Sequence, residues 1–90
     1  MKRNGFGELQ CQSFTDLVEA MADHDAADLY AEIFDGTNGE DGEDWNGWHA
    51  EIRENSSGET KFYVLAYRKS REDLQQDLRQ VGITHIDFLD

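Results

Sequence analysis

Basic residues are almost missing from the first two thirds of this chain: between Arg3 and Lys61 there is one, Arg53, against fifteen carboxylates from Glu8 to Glu59. Residues 4 to 60 therefore carry 1 − 15 = −14, while the remaining seven Lys and Arg and five Asp and Glu give the rest of the chain +2. A formal charge of −12 repels nucleic acid and anionic membrane alike, which excludes both as direct partners. Cysteine occurs once, at Cys11, so no intrachain disulfide can form, and a single thiol fits a reducing compartment. Long apolar runs are absent too: none approaches the roughly 18 residues of a membrane span. Met1-Lys2-Arg3 is followed by Asn-Gly-Phe-Gly-Glu rather than by the apolar stretch of a signal peptide. The expectation is a soluble, cytoplasmic protein.

Catalytic and metal-binding patterns are equally scarce. His24, His49 and His85 are isolated, with no H-x-x-x-H pair and no second Cys to complete a zinc set. There is no phosphate-binding Gly-rich loop followed by Lys and no G-x-S-x-G. The loop rich in Asp and Gly fails the EF-hand pattern: counted from Asp35, position 6 is Glu40, and counted from Asp41 it is Asn46, where Gly is needed. Cys11 reads as a small buried apolar side chain on a strand, because no neighbouring His or basic residue would hold it as a thiolate. No enzymatic activity, metal or cofactor is expected.

With 90 residues the chain is long enough for one domain with one core and too short for two. Leu17, Met21, Leu29, Ile33, Trp48, Ile52, Phe62, Val64, Leu74, Leu78, Ile86 and Phe88 are the candidate core. Glu8 to Ser13 alternates, with Leu9 and Cys11 on one side, and predicts a first strand. Ser13 and Asp16 have capping-box spacing, and Phe14, Leu17, Val18 and Met21 follow at helical intervals. Ala26, Leu29, Tyr30, Ile33 and Phe34 also fall at helical intervals, but their stripe is rotated by about a third of a turn. The spacing predicts a break near Asp23 to Asp25, then a second helix capped by one of those Asp residues and ending near Gly36.

Residues 36 to 47, with four Gly and four carboxylates, read as an exposed loop. From Trp48 the period becomes two: Trp48, Ala50 and Ile52 face one way, His49, Glu51 and Arg53 the other. Asn55-Ser56-Ser57-Gly58 is a turn, and Phe62 to Tyr67, apolar on both faces, predicts a central strand. Ser70 with Asp73 repeats the capping spacing ahead of Leu74, Leu78 and Val81, and Gly82 ends that helix. Thr84 to Leu89 completes the order as a strand with Ile86 and Phe88 inward. The expected architecture is α+β, with an antiparallel sheet on a ferredoxin-like split βαβ plan and helices on one face.

On such helices, carboxylates three or four residues apart stand at a spacing comparable to that of phosphates along a nucleic-acid strand. Asp16, Glu19 and Asp23 form one expected row; Asp25, Asp28, Glu32 and Asp35 form a second, continued by Glu40, Asp41, Glu43 and Asp44. Trp45, beside Trp48, either covers the core or serves as an aromatic anchor inside an acidic rim. Self-repulsion among so many like charges opposes folding, so their natural use is toward a basic protein surface, which they steer into contact.

In its acidic segment Asp16 to Glu54, its size and its lack of catalytic motifs, the chain resembles the small acidic DNA-mimic inhibitors of phages and mobile elements, of the anti-CRISPR and anti-restriction type. The resemblance implies a basic nucleic-acid-binding protein, such as a CRISPR effector or nuclease, as target, met in the host cytoplasm if the chain is phage-encoded; the chain itself is expected to be a monomer or homodimer. The chain is also similar to barstar-type nuclease inhibitors in length, acidity and the run from Gln80-Val81-Gly82-Ile83 to Leu89. The hairpin expected between Trp48 and Tyr67 departs from that family's all-parallel sheet. Two other readings stand beside these: a general interaction module, and a halophile's domain whose acidity is solvent adaptation. The clustering of Lys61, Arg68, Lys69, Arg71 and Arg79 in the last third counts against the second.

Overall fold

Two Ser-x-x-Asp signals start the two α-helices among the described residues. In the computed structural model, which describes residues 2–3, 9–35, 48–65 and 70–89, those helices lie on a mixed sheet. The elements in chain order are β1 (Lys2–Arg3), β2 (Leu9–Cys11), α1 (Phe14–Met21), a 3-10 turn (Ala26–Asp28), β3 (Leu29–Asp35), β4 (Trp48–Glu54), β5 (Thr60–Val64), α2 (Arg71–Gln80) and β6 (Ile86–Leu89). The fold is α+β.

Ser13 Oγ accepts from the Asp16 N–H at 3.2 Å, and Asp16 Oδ2 in return accepts from the Gln12 N–H at 2.9 Å. Ser70 Oγ likewise accepts from the Asp73 N–H at 3.1 Å. Each serine bond satisfies a helix N–H that has no partner inside the helix, and the Asp16 bond ties down the residue before the cap. At the far end of α2 the Gly82 N–H donates to the Arg79 carbonyl and the Ile83 N–H to the Leu78 carbonyl, both at 3.0 Å. This double closure needs a left-handed residue, and Gly82 supplies it with φ of 97°.

The strand order is β1-β2-β5-β4-β3-β6. β2 with β5 and β3 with β6 are parallel, and β1–β2, β5–β4 and β4–β3 are antiparallel. β2, β5, β3 and β6 therefore run one way, and β4 and β1 the other. Register places Ala31 beside Ile52 and Ile86, Ile33 beside Ala50 and Phe88, and Val64 beside Ala50 and Cys11. These residues share one face, and Leu17, Ala20 and Met21 of α1 and Leu74 and Leu78 of α2 close over it in a single buried cluster. Ile83, just past α2, completes that core.

Two expectations need correction. Residues 29–35 are not a second helix but a seven-residue strand, bonded to β4 on one side and β6 on the other. Their apolar residues fit either period, and pairing along both edges decides for the strand. The rotated stripe marked a change of period: the chain does break where expected, and Asp25 caps only the short 3-10 turn, its Oδ1 accepting from the Ala27 N–H at 3.1 Å. The added strand also replaces the ferredoxin-like antiparallel plan with a mixed sheet of different strand order. α1 now links β2 to β3, and α2 links β5 to β6, each spanning two intervening strands. Phe88, expected inward, lies on the helix side but is 38 % exposed, with the Arg71 guanidinium 5.0 Å from its ring centre.

Candidate partner-binding surface

The carboxylates proposed for partner binding separate into three groups. Asp16, Glu19 and Asp23 run along α1 and just past its end; Asp16 is half-buried in its cap, and Glu19 and Asp23 are exposed. Asp25 and Asp28 follow on the 3-10 turn, both exposed. Glu32 stands apart on β3, on the sheet face opposite the helices. The second helical row therefore does not form, because residues 29–35 are a strand and Glu32 lies on its face away from the helices, apart from Asp25 and Asp28 at the 3-10 turn. Glu40, Asp41, Glu43, Asp44 and Trp45 lie outside the described residues, as does the side chain of Asp35.

Register pairs Leu29 with Glu54, which brings the 3-10 turn beside the turn between β4 and β5. Asn55 ties the two together: its N–H donates to the Asp28 carbonyl at 2.8 Å and its Nδ2 to the Ala27 carbonyl at 3.1 Å. A shallow depression lined by Ala27, Asp28, Glu54, Asn55 and Ser56 marks the junction. Glu54 Oε1 accepts from Ser56 Oγ at 2.9 Å and Ser57 Oγ at 3.1 Å, and Lys61 Nζ lies 3.5 Å from both Glu54 and Glu59. The two hydroxyls, and then Lys61, hold the Glu54 carboxyl below the usual carboxylate range. Sequence spacing did not point to Glu54, Asn55 or Glu59, because their place beside Asp28 depends on β3 being a strand.

Glu19, Asp23 and Asp28 make no ion pair with another described residue. Glu32 is engaged: its Oε1 lies 2.6 Å from Arg53 Nε, and Arg53 Nη2 lies 3.1 Å from Glu51 Oε2. Arg53 Nη1 also donates to the Gly58 carbonyl at 2.9 Å, and Tyr63 Oη donates to Glu51 at 3.3 Å. Burial works against the Arg53 charge, but Glu51, and after it Glu32, outweigh it and raise the guanidinium pKa. The lone cation of the acidic segment is thus used inside the fold, and Glu19, Asp23 and Asp28 are left without an ion-pair partner among the described residues.

Beyond this network the face away from the helices carries two ring stacks, Tyr30 on His85 at 5.3 Å and Phe34 on His49 at 5.6 Å. Cys11 is fully buried, and burial, reinforced by Asp16, pushes its thiol up to about 12, which suits a core residue and not a nucleophile. Among the described residues no group of three or more His, Cys, Asp or Glu is arranged to hold a metal ion, and no helix is long and apolar enough to cross a membrane. The chain matches no protein-family model, no curated protein and no solved structure.

Proposed function

We propose that this protein is a non-catalytic acidic inhibitor that binds a basic nucleic-acid-binding protein, a CRISPR effector or other defence nuclease, and excludes DNA by standing in for its phosphates. The observation that carries the reading is the exposed series Glu19, Asp23, Asp25 and Asp28, set in a segment of net charge −14. Glu54 and Glu59 extend it across the Asn55 junction. Such a belt raises encounter rates with a Lys- and Arg-lined groove, and the field acts before contact is made. Residues 36–47 add four carboxylates to the same segment. The partner class rests on charge and on the resemblance in character to DNA-mimic inhibitors.

The test is binding of the full chain to purified CRISPR effectors and nucleases, followed by DNA competition at roughly 0.05 and 0.3 M salt. Reversing Glu19, Asp23 and Asp28 to Lys is expected to abolish both binding and competition, while Glu32→Gln has little effect on either. Binding unchanged by the triple reversal, or binding that leaves DNA association intact, rules the mimic reading out.

A further inference from the structure

One edge of the sheet is blunted and the other is not. β1 is two residues long and consists of Lys2 and Arg3, the short charged edge that discourages strand addition. β6, at the opposite edge, has β3 as its one strand partner among the described residues. The Ala31 N–H donates to the His85 carbonyl at 3.0 Å, with Ala31 in register with Ile86. In a parallel ladder, residues facing the neighbour alternate with residues facing away. His85, Asp87 and Leu89 therefore turn their backbone groups to β3, and Thr84, Ile86 and Phe88 turn theirs outward.

The side chains at this edge are apolar as well. Phe88 and Leu89, at 38 % and 43 %, are two of the three exposed large apolar residues among those described. Residues 61–90 hold five basic and five acidic side chains, a net of 5 − 5 = 0, against −14 for residues 4–60. Within residues 84–89 the ionisable side chains are His85 and Asp87 alone, so two β6 strands meet with one carboxylate each.

We propose that β6 is a self-association edge, at which two copies add their β6 strands antiparallel and continue one sheet into the other. The register centred on Ile86 sets Ile86 opposite the partner's Ile86, and Thr84 opposite the partner's Phe88, all with outward backbone groups. On the other face it sets His85 opposite the partner's Asp87. A register centred on Asp87 would oppose two carboxylates, which destabilises a strand pair. Because the seam is short, the dimer is weak, with a dissociation constant on the order of micromolar or above.

Sedimentation equilibrium of the full chain from about 1 µM to about 1 mM, at low and high salt, tests this. The expected result is a monomer–dimer equilibrium that tightens as salt rises, because screening relieves the repulsion between two chains of charge −12. A complex with a basic partner has the opposite salt dependence, so the two proposals fail separately. Phe88→Pro removes an outward N–H without touching the β3 ladder and should raise the dissociation constant at least about tenfold. Phe88→Glu, whose carboxylate would find the Arg71 guanidinium now over the ring, should do the same with an unchanged circular dichroism spectrum, and it carries the test if the proline variant misfolds. A chain monomeric throughout the range at both salts, or a dimer indifferent to Phe88→Glu, overturns the proposal.

Discussion

Arg53 Nε lies 2.6 Å from Glu32 Oε1, joining the end of β4 to the centre of β3 on the face away from the helices. Glu51 meets the same guanidinium at Nη2, so one cation holds two half-buried carboxylates. Arg53→Met should lower stability by about 1–2 kcal/mol, because both carboxylates lose their partner while staying partly out of water. Pairing it with Glu32→Gln should recover part of that loss. Urea unfolding of the two single variants and the double variant measures the coupling.

Gly82 packs against Ala26, and a Cβ built on Gly82 would stand 2.9 Å from the Ala26 Cβ. Gly82→Ala should cost about 1–3 kcal/mol through left-handed strain and this clash together. Adding Ala26→Gly removes the clash and not the strain, so it should restore only part of the melting temperature.

The serine caps are separable. Ser13→Ala and Ser70→Ala should each cost about 1 kcal/mol, and because the helices are capped independently the double variant should show the sum. Thermal unfolding followed by circular dichroism reads both.

Cys11 gives a pH dependence with a definite sign. Its folded pKa, about 12, lies above the ordinary value of 9.0, so burial of the neutral thiol stabilises the fold fully below that ordinary value. The contribution is lost as pH rises from 9.0 through about 12. Cys11→Ala should therefore show a shallower fall in stability over that range. At neutral pH the native thiol should react with a disulfide reagent only as fast as the protein opens.

Added salt should raise the melting temperature, since screening relieves repulsion within residues 4 to 60. Melting at several NaCl concentrations also separates the inhibitor reading from halophilic adaptation: a chain folded at low salt fits the first, and one that folds only in molar salt fits the second.

What could be read from sequence was local. Ser13 with Asp16 and Ser70 with Asp73 signal their helices within four residues, and the alternation from Trp48 to Arg53 matches β4 face by face. The stretch from Ala26 to Phe34 misled, because an interior strand that is apolar on both faces also satisfies helical spacing. That one change of period dissolved the second acidic row, moved Glu32 into an ion pair and brought Glu54 beside Asp28. Register and strand order depend on contacts between distant residues, and nothing in local spacing encodes them.

The two parallel pairs of the sheet have a consequence for how the chain reaches this structure. Gln10 pairs with Tyr63 and Ala31 with Ile86, separations of 63 − 10 = 53 and 86 − 31 = 55 residues. The β4–β5 hairpin closes a far shorter loop, so it and the β3–β4 ladder should order early, before β2 and β6 dock at the flanks. Until β6 docks, β3 presents an open edge of alternating apolar residues, and the time spent in that state sets how readily the nascent chain aggregates.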